Sequence, residues 1–258
     1  MLGSFGISTH LLLNIIAAVV VGVGMRIRSR HHFPNPSSNF IVDLLFYLFC
    51  GVLSGALLGA TLPYLVMSWF GQPLPPYWYM GWQNWFGAVT GGSLAGLLFC
   101  RKHNRPVGWS FDLVAPLLPV ALAIVRTGCL LAGDSQGKLT MRWPAMVLPD
   151  THGVWASRYP TQIVDIGVNL LIAALLFGLE YWIARRKSSG WPFAGFMFWL
   201  YVLLFCAQRM YFEFWRADTL VLAAPFTWNH LYCVIGLVLV GVGIGRGLYQ
   251  REIIRKPM

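Results

Sequence analysis

Seven apolar stretches dominate the chain, at residues 8–25, 40–69, 85–100, 111–131, 161–184, 193–215 and 231–249. Each reaches or approaches the roughly 20 residues that a helix needs to cross the hydrocarbon of a bilayer. A chain of 258 residues with 57% hydrophobic and 11% charged residues carries more apolar surface than a water-soluble fold of that length can bury. The expected fold class is an all-α integral membrane protein of seven transmembrane helices, the second overlong or tilted, forming one transmembrane domain over residues 1–258.

Charge supplies an independent test of that count. The first stretch has no basic residue before it, and Arg26, Arg28 and Arg30 follow it, so it reads as an outside-first helix rather than a removable signal peptide. With the N-terminus outside, the inner ends of the helices collect Arg26, Arg28, Arg30, Arg101, Lys102, Arg105, Arg185, Arg186, Lys187, Arg246, Arg251, Arg255 and Lys256. The net charge of +10 then follows from orientation and contact with anionic lipid, and no nucleic-acid partner is needed to explain it. The five cysteines, Cys50, Cys100, Cys129, Cys206 and Cys233, form no C-x-x-C pair and lie in or beside apolar runs. They read as small hydrophobes, so neither a disulfide nor a metal is expected, and no cofactor is called for.

Six basic residues escape this explanation: Arg126, Lys138, Arg142, Arg158, Arg209 and Arg216 fall in outer halves of helices or in outer loops. An arginine within a span costs about 2.5 to 3.5 kcal/mol on insertion scales, so Arg126 and Arg209 need a partner or a polar cavity. The segment from about 133 to 160 is long enough for a small extracytoplasmic cap between the fourth and fifth helices, and the uncharged Pro-, Tyr- and Trp-rich loop 71–84 suits the headgroup layer. "QRMYFEFWRAD" spaces Arg209, Glu213 and Arg216 by four and three, which predicts one helical face and an ion-pair ladder. Asp112 in "SFDLVAPLLP" is expected to cap the fourth helix, with Pro116 and Pro119 bending that helix beyond its first turn. Outer arginines, a Gly-rich break at Gly128, Gly133 and Gly137 and polar side chains reaching into the bundle suit an anionic headgroup whose tails stay in the bilayer. A guanidinium binds phosphate oxygens in pairs and keeps its proton.

"VRTGCLLAGDSQG", "RYPTQ" and "QRMYFEFWR", in that order, resemble motifs of the prolipoprotein diacylglyceryl transferase family. Those motifs read approximately G-R-x-G-N-F-x-N-G-E-x-x-G, R-H-P-[ST]-Q-x-Y-E and x-R-x-x-x-E-[FY]-[FW]-R. The resemblance extends over nearly the whole chain, with "THLLLN", "TGGSLAG" and "DLVAPLLP" in matching places. It implies a multi-pass enzyme of the bacterial inner membrane, N-terminus outside and C-terminus cytoplasmic, that moves a diacylglyceryl group from phosphatidylglycerol to the cysteine thiol of a lipoprotein precursor and releases glycerol 1-phosphate. Carried over, the catalytic set is Arg126, Arg209, Glu213 and Asp134, with the arginines on the phosphate, Glu213 orienting Arg209, and Asp134 in place of the first motif's glutamate. Arg216, Arg158, Gln162, Gly128, Gly133, Gly137, Thr90, Gly91, Gly92, Cys129 and His10 would line the substrate.

The chain departs from the family on the acceptor side. Thr90 stands where the family's H-G-G has its histidine, Cys129 and Ala132 replace the two asparagines of the first motif, Leu12 replaces a tyrosine, and Asp165 replaces the glutamate after "RYPTQ". A thiol must lose its proton to attack, and threonine is no base at neutral pH. His10 and His230 are alternative bases on the outer side, whereas His103 lies inside. Two other readings stay open: a phosphatidylglycerol-dependent transferase with another extracytoplasmic acceptor such as a periplasmic glycan, including transfer of phosphoglycerol, and a catalytically inactive lipid-binding relative. The absence of repeat symmetry and of paired broken helices speaks against a transporter.

Overall fold

The computed structural model describes residues 9–32, 38–71, 85–150, 152–185, 191–217, 219 and 221–255. In chain order the elements are α1 (Thr9–His32), α2 (Ser38–Trp69), α3 (Trp85–Lys102), α4 (Val107–Val114), α5 (Leu117–Ala132), β1 (Met146–Pro149), β2 (Trp155–Arg158), α6 (Thr161–Arg185), α7 (Phe196–Phe212), β3 (Val221–Ala223), β4 (Phe226–Thr227) and α8 (Trp228–Arg255), with a 3-10 turn at Glu213–Trp215 after α7. Among the described residues the strands form two antiparallel hairpins, β1 with β2 and β3 with β4. Most of loop 71–84, together with Arg186, Lys187 and Lys256, lies outside the described residues.

The protein is mainly helical, and four helical stretches among the described residues are long and apolar enough to cross a membrane: Leu11–Arg30, Val107–Ala132, Thr161–Arg185 and Trp228–Arg251. α7 has 17 residues and α3 has 18, each short of the roughly 20 that a span requires.

The contacts divide the chain into two units, Arg28–Phe111 on one hand and Met1–Ile27 with Asp112–Met258 on the other. The Arg28–Phe111 unit rests on α2 against α3, where Gly51, Gly55 and Gly91 bring the two backbones so close that a Cβ at any of them would collide with the facing helix. This is the small-residue packing of membrane helices, in which close backbone approach stands in for a hydrophobic driving force. The other unit is built from α5 on α6, α6 on α7 and α7 on α8.

The fourth apolar stretch is two helices rather than one bent one. Pro116 has no N–H to donate and its ring excludes the carbonyl four residues back, so α4 ends at Val114 and α5 starts at Leu117. Asp112 does not cap its own helix, as the sequence position suggests. Its carboxylate is buried and accepts from the backbone N–H groups of Gly195 at 2.7 Å and Phe198 at 3.1 Å. It therefore caps α7, whose N-cap is Gly195 at φ 97, a left-handed position that offers no side chain for the task. Asp112→Ala should lower stability by about 1–2 kcal/mol, read as a fall in the thermal unfolding midpoint in detergent; an unchanged midpoint would refute the cross-helix cap.

Candidate active site

α5 ends in a Schellman turn. Gly133 takes φ 73, and the N–H of Asp134 donates to the Cys129 carbonyl at 3.1 Å. The turn leaves Arg126 nearly two helical turns before the break and brings Ser135 back within reach of its side chain. Arg126 donates from Nη1 to Ser135 Oγ at 3.1 Å and passes Cys129 Sγ at 3.8 Å. Its Nε lies 3.1 Å from Asp165 Oδ2 on α6.

The same carboxylate oxygen is 3.5 Å from Nη1 of Arg209 on α7. Two arginines from separate helices thus meet on one aspartate of a third. Arg209 turns its other terminal nitrogen, Nη2, to Glu213 Oε2 at 2.8 Å, with side-chain exposures of 6% and 0% for the pair. Glu213 Oε1 accepts from Asn229 Nδ2 at 2.6 Å and Thr227 Oγ1 at 3.0 Å, which ties the end of α7 to the start of α8. The charges acting on Arg209 are Arg216, Glu213, Arg126 and Asp165. These charges act in a largely buried setting, where Coulomb interactions are stronger than in water.

The expected ladder on one helical face holds only for its first pair. α7 gives way to the 3-10 turn at Glu213, and Arg216 has extended backbone at φ −82 and ψ 143. It pairs across a β-bridge with Gly137, while Lys138 N donates to Trp215 O at 2.7 Å and Ala217 N to Gln136 O at 3.0 Å. On the other edge Tyr159 N donates to Lys138 O at 3.1 Å and Leu139 bridges to Arg158. Residues 136–139 therefore lie between the segments that follow Glu213 and precede α6, and Tyr159 stacks on Trp215 at 4.9 Å.

Two of the glycines permit close approach of this backbone. A Cβ on Gly137 would collide with Tyr159, and one on Gly133 with Asp150, while Gly128 is buried within α5. Gln162 is buried and donates from Nε2 to the Asp134 carbonyl at 2.8 Å, and Thr161 Oγ1 donates to Ser135 O at 2.9 Å, so this pair opens α6 by gripping the turn after α5. Arg158 is buried and pairs with Asp150 at 3.0 Å. Asp150 Oδ1 also accepts from the N–H groups of His152 and Val154, each at 2.9 Å, closing the β1–β2 hairpin.

Thr90, Gly91 and Gly92 belong to the other unit. Thr90 is exposed, Gly91 sits against α2 and Gly92 against Val52. His10 stands near the start of α1 and its side chain lies outside the described residues. His230 is buried on α8, its Nδ1 accepting the Thr227 N–H at 3.1 Å.

With this geometry in view, the comparisons with known proteins decide the family. The prolipoprotein diacylglyceryl transferase profile matches residues 1–245. The chain belongs to the prolipoprotein diacylglyceryl transferase family. It is 28% identical over 249 residues, 94% of this chain and 91% of the relative, to the phosphatidylglycerol–prolipoprotein diacylglyceryl transferase of Bordetella bronchiseptica. Over 237 residues, 92% of this chain and 81% of the relative, it is 31% identical to the enzyme of the same name from Idiomarina loihiensis. The Legionella pneumophila enzyme of that name is 27% identical over 236 residues, 90% of this chain and 87% of its own length.

For a member of this family the residues that sequence reasoning left out are as instructive as those it chose. Asp165 entered only as a replacement for glutamate, yet it holds both arginines; the available signal was an acid three residues after Gln162 inside an apolar run. Thr227 and Asn229 had no sequence signal beyond their place before and within the first turn of α8.

Asp165→Ala should destabilise the protein by about 3–5 kcal/mol, because it leaves the buried Arg209 and the part-buried Arg126 without their shared anion. Thermal unfolding in detergent reads the loss, and a variant within about 1 kcal/mol of the parent would show that the pairs are not formed. Asp150 gives a pH signature. The Val154 N–H holds its carboxyl below the usual range, burial opposes this, and the His152 N–H and the Arg158 charge add to it. A lowered folded value means that the contribution is present above the ordinary carboxylate range near pH 4 and is lost as pH falls through the folded value. The midpoint gap between parent and Asp150→Asn should be open at neutral pH and close below about pH 4; a gap constant over that range would contradict the assignment.

Proposed function

We propose that this chain moves the diacylglyceryl group of phosphatidylglycerol to the cysteine thiol of a prolipoprotein and releases glycerol 1-phosphate. The observation that carries the reading is the meeting of Arg126 and Arg209, from two separate helices, on the one carboxylate of Asp165. Family membership supplies the reaction class, since the named relatives are phosphatidylglycerol–prolipoprotein diacylglyceryl transferases.

In the transfer, the acceptor sulfur attacks the glyceryl carbon esterified to phosphate. A C–S bond forms, the C–O bond breaks, and its electron pair leaves on the phosphate oxygen. The thiol proton balances the second charge of the released phosphate monoester. Negative charge on the phosphate therefore grows along the reaction, and fixed guanidiniums stabilise the transition state more than the bound lipid. Arg126 and Arg209 take that role, Arg216 adds charge from the 3-10 side, and Asp165 and Glu213 hold the guanidiniums in place. Asp134 and Gln162 shape the turn above them, and Arg158 keeps the hairpin over the turn. The acceptor side is divergent, with Thr90 at the position of the family's histidine. The same reading makes the protein a seven-span enzyme of the bacterial inner membrane, N-terminus outside and C-terminus cytoplasmic, with residues 133–160 as an extracytoplasmic cap and α3 and α7 as short spans.

The test is reconstitution in vesicles containing phosphatidylglycerol with a prolipoprotein-derived cysteine peptide, with products identified by mass spectrometry. Glycerol 1-phosphate and a thioether-linked diacylglyceryl peptide support the assignment. Diacylglycerol as the leaving product would make it a phosphoglycerol transferase, and no turnover would make it an inactive lipid-binding relative. Arg126→Ala and Arg209→Ala should each lower turnover about 100-fold or more, Glu213→Gln less. Arg209→Lys should not restore it, because an ammonium cannot contact two carboxylates and a phosphate in one plane. Full activity in either alanine variant would remove the phosphate clamp.

A further inference from the structure

A carboxylate facing a guanidinium forms its strongest pair through both oxygens at once, fork against fork. Glu213 and Arg209 are free to do this by sequence spacing and do not. Oε2 alone reaches Arg209, at 2.8 Å, while Oε1 is turned to Asn229 Nδ2 at 2.6 Å and Thr227 Oγ1 at 3.0 Å. Both donors come from the start of another helix, α8, and Thr227 is itself fixed, buried with its N–H on His230 Nδ1. The Thr227 hydroxyl also lies 3.0 Å from Nδ1, so the His230 ring anchors this end of the clamp. Asp165 meets Arg209 in the same partial way, at Nη1 through an oxygen shared with Arg126.

Resting on the function proposed above, we infer that Thr227 and Asn229 are positioning residues for the transfer: by holding Glu213 Oε1 they limit its pairing with Arg209 to one oxygen and keep guanidinium donors available for the lipid phosphate. Without them, the freed oxygen of a buried carboxylate turns onto Arg209 and neutralises it with a bidentate fork. Because the leaving phosphate is more negative than the diester in the ground state, the loss falls on kcat more than on KM.

The experiment measures kcat and KM for phosphatidylglycerol in vesicles of that lipid, per folded enzyme, for Asn229→Ala, Thr227→Val, Thr227→Ser and Glu213→Gln, and for Asn229→Ala combined with Glu213→Gln. Asn229→Ala and Thr227→Val should lower kcat about tenfold with KM changed less than about twofold, and Thr227→Ser, which keeps the hydroxyl, should stay near the parent. In the Glu213→Gln background Asn229→Ala should have no further effect on kcat, since it acts only through that carboxylate. A purely structural role predicts a lower yield of folded protein, unchanged kcat per folded molecule and additive losses. Folded Asn229→Ala with the parent's kcat, or an undiminished loss in the Glu213→Gln background, overturns the inference. If Thr227→Val fails to fold, Asn229→Ala, at a half-buried site, still decides it. A parent protein that releases no glycerol 1-phosphate sinks the proposed function instead, and does so before any variant is compared.

Discussion

Everything in the larger unit depends on how two arginines are kept inside a helical bundle. An unpaired guanidinium within a span is costly, and Asp165 answers that cost for Arg126 and Arg209 together with one oxygen. Sharing fixes the relative placement of α5, α6 and α7, because moving any one of them strands a buried charge. Glu213 adds a second anion to Arg209 from the end of α7, and the Arg216 charge acts on the same guanidinium. The fold and the proposed chemistry thus rest on one set of contacts: the contacts that hold the helices in register are those that the proposed function assigns to the lipid phosphate.

Around that centre the polypeptide is organised by backbone pairing. The segment after α5 is held on one edge by residues 158–159 and on the other by 215–217, so the three motifs that resemble the transferase family meet through main-chain hydrogen bonds before any side chain contributes. Gly133 and Gly137 permit that approach, and Thr161 and Gln162 fasten it from the first turn of α6. Residues that look like ligand contacts in a motif can therefore be the means by which the ligand contacts are placed.

Some of this was legible in the amino-acid sequence and some was not, for physical reasons. Apolar length and the cost of a buried charge marked out the helices and singled out Arg126 and Arg209, because both effects are local to the chain. The Arg209–Glu213 pair was legible because a spacing of four faces two side chains on a helix. Arg216 escaped the same logic, since the helix stops at Phe212 and spacing loses its meaning beyond the end. Asp112 was misread as a cap of its own helix because nothing in "SFDLVAPLLP" announces that its acceptor capacity is used 83 residues away. Asp165 carried a weak signal for the same reason: an acid reveals its partners only when the helices are brought together.

On the proposed function, Arg126 and Arg209 act as one site for an anionic lipid head. The most direct test is lipid retention by native mass spectrometry on protein extracted from mixed phosphatidylglycerol and phosphatidylethanolamine bilayers, comparing the parent, each arginine-to-alanine variant and the double variant. A single shared site predicts that the parent keeps phosphatidylglycerol preferentially, that either substitution abolishes the preference, and that the double variant is no worse than the singles. Unchanged preference in the variants, or losses that simply add, would contradict it.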